Sequence, residues 1–228
     1  MITLLGVGHV FDIGPSVRRH ILQRGPSVVG LELDPARYYA LTHRDEAREA
    51  PFLLQVMASF QERIAREYGG QVGDEMLAAA AAAREVGAGV ALIDVDSRQM
   101  LPRLWRALPF EERVRAVVAI AMGLFVRKRT VERELERYEQ DQTAYLDEFS
   151  RQFPTIQRIL LHERDVHMAT RLRSLDESHG RVVAVIGDGH VEGVHARLAD
   201  REVEVVRLKD LRAPPPTAEF TFSFTAKA

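Results

Sequence analysis

Residues 4–9 read Leu-Leu-Gly-Val-Gly-His and residues 185–190 read Val-Ile-Gly-Asp-Gly-His, so two apolar runs near opposite ends of the chain finish on one pattern. An apolar run that stops on Gly-x-Gly and then delivers a histidine predicts a β-strand whose C-terminal loop directs an imidazole to the edge of a sheet. Open α/β sheets bind their ligands at that edge. Two such loops in one chain predict a shared site.

The segments around these two runs predict an α/β fold with a mostly parallel sheet. Asp34 and Pro35 form an N-cap followed by proline at the first helical position, so a helix is expected directly after the second strand. The resulting order of strand, helix and strand implies parallel strands joined by right-handed crossovers. The strands are expected at Ile2–Val7, Ser27–Leu33, Gly89–Asp94, Val182–Ile186 and Val203–Leu208.

The middle of the chain is predicted to be helical, at about Pro51–Tyr68, Asp74–Val86 and Arg98–Leu175. We therefore expect a single domain over residues 1–212, in which a helical insertion at about 97–178 separates the sheet-forming ends. Trp105 is expected to be a core residue. An apolar stripe at helical spacing predicts a buried helix and consists of Val114, Val117, Val118, Ile120, Ala121, Leu124 and Phe125.

Residues 213–228 form a separate tail in this interpretation. Three consecutive prolines, Pro214 to Pro216, predict a stiff spacer, and Phe220, Phe222 and Phe224 then share one face of a strand-like segment. A row of exposed rings promotes aggregation, so we expect the tail to dock on its own sheet edge or on a second subunit. The second arrangement would make a homodimer.

The composition limits the classes of function. The chain has 228 residues, 46% of them apolar, and a formal net charge of −2, which suits a globular domain and predicts no binding to nucleic acid. It contains no cysteine, which excludes disulfides, thiolate metal sites and cysteine nucleophiles. The longest apolar run is about half of what spans a bilayer, and no signal peptide is evident. We expect a cytoplasmic protein without a membrane span.

If the first, second and fourth predicted strands are neighbours, their C-terminal ends bring His9, Glu32 and His190 together. Two imidazoles and a carboxylate that leave coordination positions open are a recurrent ligand set for a catalytic divalent metal such as Zn, Mn or Co. Gly8 and Gly189 would let a substrate approach the backbone closely. A single strand-end histidine more often bonds only a loop backbone, but the repetition and Glu32 favour a site.

Two G-x-x-H motifs, Gly6–His9 and Gly187–His190, accompany an acidic residue at the end of the second strand, Glu32, and a following arginine, Arg37. In these features the chain resembles the TraB/PrgY proteins, which are related to the TIKI peptidases and more distantly to the erythromycin esterases. The resemblance extends over about residues 2–208. Further similar segments lie at residues 93–96, 101–105, 163–169 and 189–193.

The resemblance implies a metal-dependent hydrolase, peptidase-like or esterase-like, that acts on a peptide or small-molecule substrate. It also implies that Glu163 is a general base or a further ligand and that Arg37 or Arg164 holds a substrate carboxylate or an oxyanion. Asp94 is expected to contact substrate, although relatives often carry arginine where Val95 stands. From spacing alone, the charges near Glu163 would indicate a solvated helix surface.

Other functions receive less support from the residues. The order of strand, Gly6-x-Gly8, helix, strand and Glu32 resembles a dinucleotide-binding fold, but Phe11 stands where the third glycine is required. No G-x-S-x-G sequence is present, so serine hydrolysis has no support. A non-catalytic protein that sequesters a peptide or another ligand in the same crevice remains an open alternative.

Overall fold

The structure is a computed structural model that describes residues 1–8, 11–43, 73–123, 133, 137 and 142–213. In this part of the chain five parallel strands form one sheet, so the predicted α/β fold with a parallel sheet is confirmed. The strands are β1 Ile2–Val7, β2 Val28–Leu31, β3 Gly89–Leu92, β4 Val182–Gly187 and β5 Val203–Val206.

The strand order is β3-β2-β4-β1-β5, so β4 lies between β2 and β1. Val182 pairs with Ile2 of β1 and with Val28 of β2, and the register continues from there without interruption. The three strands expected to be neighbours are therefore neighbours. Because they are parallel, their C-terminal ends open on the same edge of the sheet.

Helices cover both faces of the sheet. Side chains of a strand alternate between faces, and the buried residues accordingly divide into two apolar clusters. One cluster includes Ile21 and Ala79 from helices on one face, and the other includes Leu172 and Val194 from helices on the opposite face. The helices are α1 Gly14–Arg24, α2 Pro35–Thr42, α3 Asp74–Glu85, α4 Ser97–Ala107, α5 Phe110–Gly123, α6 Gln142–Gln152, α7 Pro154–Gln157, α8 Glu163–His179, α9 Asp188–Arg197 and α10 Leu208–Arg212. A π-helical turn, Arg158–His162, joins α7 to α8.

Several local expectations differ from the structure. β2 ends at Leu31 and β3 at Leu92, each two residues before the expected end. The last strand ends at Val206 rather than Leu208, because Asp210 accepts a hydrogen bond from the Arg207 backbone and starts α10. The second Gly-x-Gly-His segment is not a loop, because α9 begins at Asp188 and contains the histidine in its first turn. The expected helix Pro51–Tyr68 and the tail with its three phenylalanines lie outside the described residues.

The prediction that the stripe on α5 is buried is wrong for the side chains that the structure describes. Val114, Val117 and Val118 are exposed, as is Trp105, which was expected in the core. Both faces of the sheet are already covered by α1, α3, α8 and α9, so α5 has no place against it. Within the described ranges, no helix is long and apolar enough to cross a membrane.

Candidate functional site

The candidate site lies at the C-terminal ends of β2 and β4. Glu32 directly follows β2, and His190 follows β4 by three residues, in the first turn of α9. Glu32 is 2% exposed and His190 is 5% exposed. The Glu32 Oε1 and His190 Nε2 atoms are 3.4 Å apart. Two of the three predicted metal ligands therefore meet, and the third, His9, lies outside the described residues.

Arg164 of α8 joins the buried acids of the site. Its Nη1 lies 3.0 Å from His190 Nε2 and donates to the Leu160 carbonyl at 3.1 Å. Its Nη2 donates to Glu32 Oε1 and to Asp94 Oδ2, and its Nε donates to Asp94 Oδ1 at 3.0 Å. All five N–H groups of the guanidinium thus have an acceptor. Burial works to lower the pKa of Arg164, but Glu32 and Asp94 outweigh it and raise that pKa.

Asp94 connects this buried cation to a more exposed one. Arg37 Nη1 donates to Asp94 Oδ2 at 2.8 Å, and the backbone N–H of Val95 donates to Oδ1 at 2.8 Å. The Arg37 side chain is 37% exposed, whereas that of Arg164 is 12% exposed. Of the two arginines predicted to bind substrate, Arg37 is the one that faces solvent.

Asp34 fixes the helix that carries Arg37. Its Oδ1 accepts hydrogen bonds from the backbone N–H groups of Ala36 and Arg37, which caps α2 as the Asp-Pro sequence predicts. Its Oδ2 accepts from the Ser97 N–H, which ties the start of α4 to the same carboxylate. Burial works to raise the pKa of Asp34, but these hydrogen bonds outweigh it and lower the pKa below its ordinary value.

Asp165 is a site residue that the sequence analysis did not identify. Its Oδ1 lies 2.6 Å from His190 Nδ1, and its side chain is buried. A carboxylate at this nitrogen favours the tautomer with the proton on Nδ1, in which the Nε2 lone pair accepts from Arg164 and lies beside Glu32. One available signal is helical spacing, since Asp165 precedes the buried Met168 and Leu172 on α8 by three and seven residues.

Glu163 belongs to a cavity beside the buried cluster. Its carboxylate pairs with Arg158 Nη1 at 2.7 Å and with Arg103 Nη2 at 2.8 Å. The cavity has a volume of about 290 Å³, and Arg164 forms part of its wall. Among the residues that the structure describes, Glu163 pairs with these two arginines and not with Glu32 or His190. The structure therefore separates the predicted general base from the buried cluster by Arg164.

The two glycines predicted to contact substrate differ in their surroundings. A Cβ added to Gly8 would come within 2.9 Å of the Phe11 ring and 3.0 Å of Leu208, so packing within the chain uses that space. A Cβ added to Gly189 would meet no atom within 4 Å. Gly189, in the same helical turn as His190, is thus the glycine with open space beside it.

Glu32 and His190 fit a divalent metal ion in donor type and spacing. Two ligands at about 2.0–2.1 Å from one tetrahedral ion lie about 3.4 Å apart, and the Nε2 to Oε1 distance is 3.4 Å. A carboxylate on the other ring nitrogen is typical of metal-binding histidines. In the part of the chain that the structure describes, no three His, Asp or Glu side chains converge as a ligand set. Arg164 contacts both donor atoms, so an ion would have to displace it.

Comparison with known proteins gives two findings. Residues 1–207 match the family described as the TraB/PrgY/gumN family. A curated protein of Methanocaldococcus jannaschii, described as uncharacterized protein MJ1365, is 29% identical over 206 residues, which cover 85% of this chain and 52% of that protein. The chain therefore spans about half the length of this relative.

Proposed function

The chain belongs to the TraB/PrgY/gumN family, and on this basis we propose that it is a metal-dependent hydrolase of peptide-like or ester-like bonds. The observation that carries the proposal is the buried pair of Glu32 and His190, whose Oε1 and Nε2 atoms lie 3.4 Å apart where two parallel strands end. The hydrogen bond from His190 to Asp165 supports it, because it directs the Nε2 lone pair to this point.

In this proposal His190, Glu32 and His9 hold a divalent ion such as Zn, Mn or Co. When bound, the ion would acidify a water molecule and polarise the carbonyl of the substrate. The charges of the cluster favour a cation: three carboxylates, those of Glu32, Asp94 and Asp165, face the two guanidinium groups of Arg37 and Arg164. With a neutral imidazole, one negative charge is left in excess.

The remaining residues act on the substrate. Arg37, with a guanidinium that reaches solvent, binds a substrate carboxylate or the developing oxyanion. An ion would displace Arg164 from Glu32 and His190, but its two hydrogen bonds to Asp94 would keep it beside the site as a positive charge rather than as a clamp. Glu163, a carboxylate on the wall of the cavity where a peptide or small molecule would lie, acts as the proton acceptor. Gly189 leaves room for the substrate backbone.

A non-catalytic role in sequestering a peptide or another ligand is the second candidate. One observation favours it: Arg164 already supplies hydrogen bonds to both Glu32 and His190, so the buried cluster is satisfied without an ion. In that case the cavity beside Arg164 would bind the ligand and no water would be activated. The two functions therefore differ in whether the protein takes up a metal.

The test combines metal content with turnover of defined probes. Protein purified without chelators is analysed for metals and titrated with Mn²⁺, Co²⁺ and Zn²⁺ by calorimetry, as wild type and as Glu32→Gln, His190→Gln and His195→Gln. His195 lies on the same helix and is exposed, so its variant is the matched control. We expect about one ion per chain in wild type and control, and affinity at least about tenfold weaker in the two site variants.

The same proteins are then assayed with p-nitrophenyl acetate and with a library of quenched fluorescent peptides. Metal-dependent cleavage of either probe that Glu32→Gln abolishes would support the hydrolase. Tight binding of peptides without cleavage or metal would favour the sequestering function. A wild-type protein that binds no ion and cleaves neither probe would contradict the proposal.

A further inference from the structure

Gly193 lies three residues after His190 on α9, and its α-carbon faces Asp165 of α8. A Cβ added at Gly193 would stand 2.1 Å from Asp165 Oδ2 and 2.7 Å from its Cγ. Real carbon and oxygen atoms do not approach this closely without a bond. Asp165 can therefore occupy its position only because residue 193 has no side chain. This gives a reason for a glycine inside a helix, where it costs about 1 kcal/mol relative to alanine.

The carboxylate that fills this space also controls His190. Asp165 Oδ2 lies against Gly193, while Asp165 Oδ1 lies 2.6 Å from His190 Nδ1. The Asp165 side chain is almost completely buried and contacts His190 and Gly193, which both lie on α9. A side chain at position 193 would therefore push the carboxylate away from the imidazole.

Among the residues that the structure describes, three groups face the ring of His190, and together they define two competing proton positions. Asp165 accepts at Nδ1, and Arg164, which can only donate, requires a lone pair on Nε2. Glu32, however, lies 3.4 Å from Nε2 and could accept a proton carried there. The neutral ring thus has an alternative tautomer with a ready partner, and Asp165 acts against it by accepting at Nδ1, as Arg164 does by donating to Nε2.

We propose that Gly193 is a positioning residue: by leaving space for Asp165, it keeps the proton of His190 on Nδ1 and the lone pair of Nε2 directed at the site. The inference rests on the proposed function for its importance, because a substrate-activating ion needs that lone pair. The contact between Gly193 and Asp165 does not depend on that function. Gly193 itself touches neither substrate nor the reacting atoms.

The experiment reads the tautomer directly, in full-length protein labelled with ¹⁵N and freed of metal by EDTA. Long-range ¹H–¹⁵N correlation spectra distinguish a protonated ring nitrogen from a bare one, and His190→Gln assigns the signals. Gly193→Ala is compared with Gly189→Ala, which lies on the same helix but adds its Cβ to open space. We expect wild type and Gly189→Ala to show Nδ1–H and a bare Nε2, and Gly193→Ala to lose this pattern.

A double-mutant comparison keeps the inference testable if Gly193→Ala unfolds. Asp165→Ala removes the carboxylate that the new methyl group would strike, so Gly193→Ala should lower the melting temperature in the wild-type background and leave it nearly unchanged in the Asp165→Ala background. An unaltered Nδ1–H pattern in Gly193→Ala, or equal losses in both backgrounds, would overturn the inference. Neither readout uses metal or substrate. A failure of this inference can therefore be distinguished from a failure of the hydrolase proposal.

Discussion

Replacing Arg164 by methionine removes the cation that the buried acids share while it keeps a long side chain that favours helix. The Arg164 side chain is 12% exposed, and the side chains of its partners Glu32 and Asp94 are almost completely buried. In the variant both carboxylates lose their ion pair with Arg164, although Asp94 keeps the one with Arg37, and His190 loses the donor to its Nε2. We expect a large loss of stability in the absence of metal.

The size of this loss follows from the burial of the partners. Removing one partner of a buried ion pair costs about 3–5 kcal/mol, because the other charge stays buried without compensation. The contacts of Arg164 form one network, so their contributions are not summed separately. For a chain of this length each kcal/mol corresponds to about 2–4 °C, so the melting temperature should fall by about 6–20 °C.

Thermal and urea unfolding, followed by circular dichroism at pH 7 with EDTA present, measure the effect. Arg158→Met is the matched control, since Arg158 lies on the adjacent helical turn, is 54% exposed and pairs with Glu163. An exposed ion pair contributes about 0–1 kcal/mol, so the control should unfold close to wild type. If Arg164→Met stays within about 1 kcal/mol of Arg158→Met, the reasoning from buried charge is refuted.

Three further predictions concern the framework of the site. Asp34→Ala should lower the free energy of unfolding by about 1–2 kcal/mol at pH 7. The pKa of Asp34 in the folded protein lies below its ordinary value of 3.8, so the carboxylate stabilises the fold above pH 3.8. This stabilisation is lost as the pH falls through the folded pKa. Urea unfolding at pH 7 and at pH 3 checks this, and an equal difference from wild type at both would contradict it. Gly6→Ala should lower the free energy of unfolding by about 1–3 kcal/mol, because the new Cβ would lie 2.3 Å from Asp188 Oδ1. An unchanged melting temperature would argue against that packing. Leu172→Ala, at a fully buried position, should cost about 2–5 kcal/mol in urea unfolding, and a loss below about 1 kcal/mol would show that Leu172 is not a core residue.

The sheet could be predicted from the sequence because buried parallel strands are continuous apolar runs. Residues 2–7 and 182–187 show this pattern most clearly. The first of these strands has the expected bounds, and the second ends one residue after the expected position. Helix α10 could not be predicted, because Leu208 extends the strand-like pattern of residues 203–206 beyond Arg207. The strand ends there because of tertiary and local hydrogen bonds, in which the Leu208 N–H donates to Asp188 and the Arg207 N–H donates to Asp210. The exposed stripe on α5 shows the converse: apolar spacing identifies a helix but not the surface that covers it.

The candidate site divides in the same way. Glu32 and His190 could be predicted to meet, because both follow neighbouring parallel strands and the sheet itself brings their ends together. Arg164 and Asp165 come from a helix whose approach to the sheet depends on tertiary packing, which local patterns do not report. Their adjacent positions on α8 therefore predicted two charged residues but not their contacts. In the structure Arg164 binds the buried acids and Asp165 binds the imidazole.

The order of strands in the sheet has a consequence for biosynthesis. β1 is translated before both of its neighbours in the sheet, because residues 8–181 separate it from β4, and β5 follows later still. At about 5–20 residues per second, roughly 10–40 s pass before residue 187 is translated. Throughout that interval β1 presents six apolar or small residues without its native partner strands, and such an exposed segment is prone to aggregation.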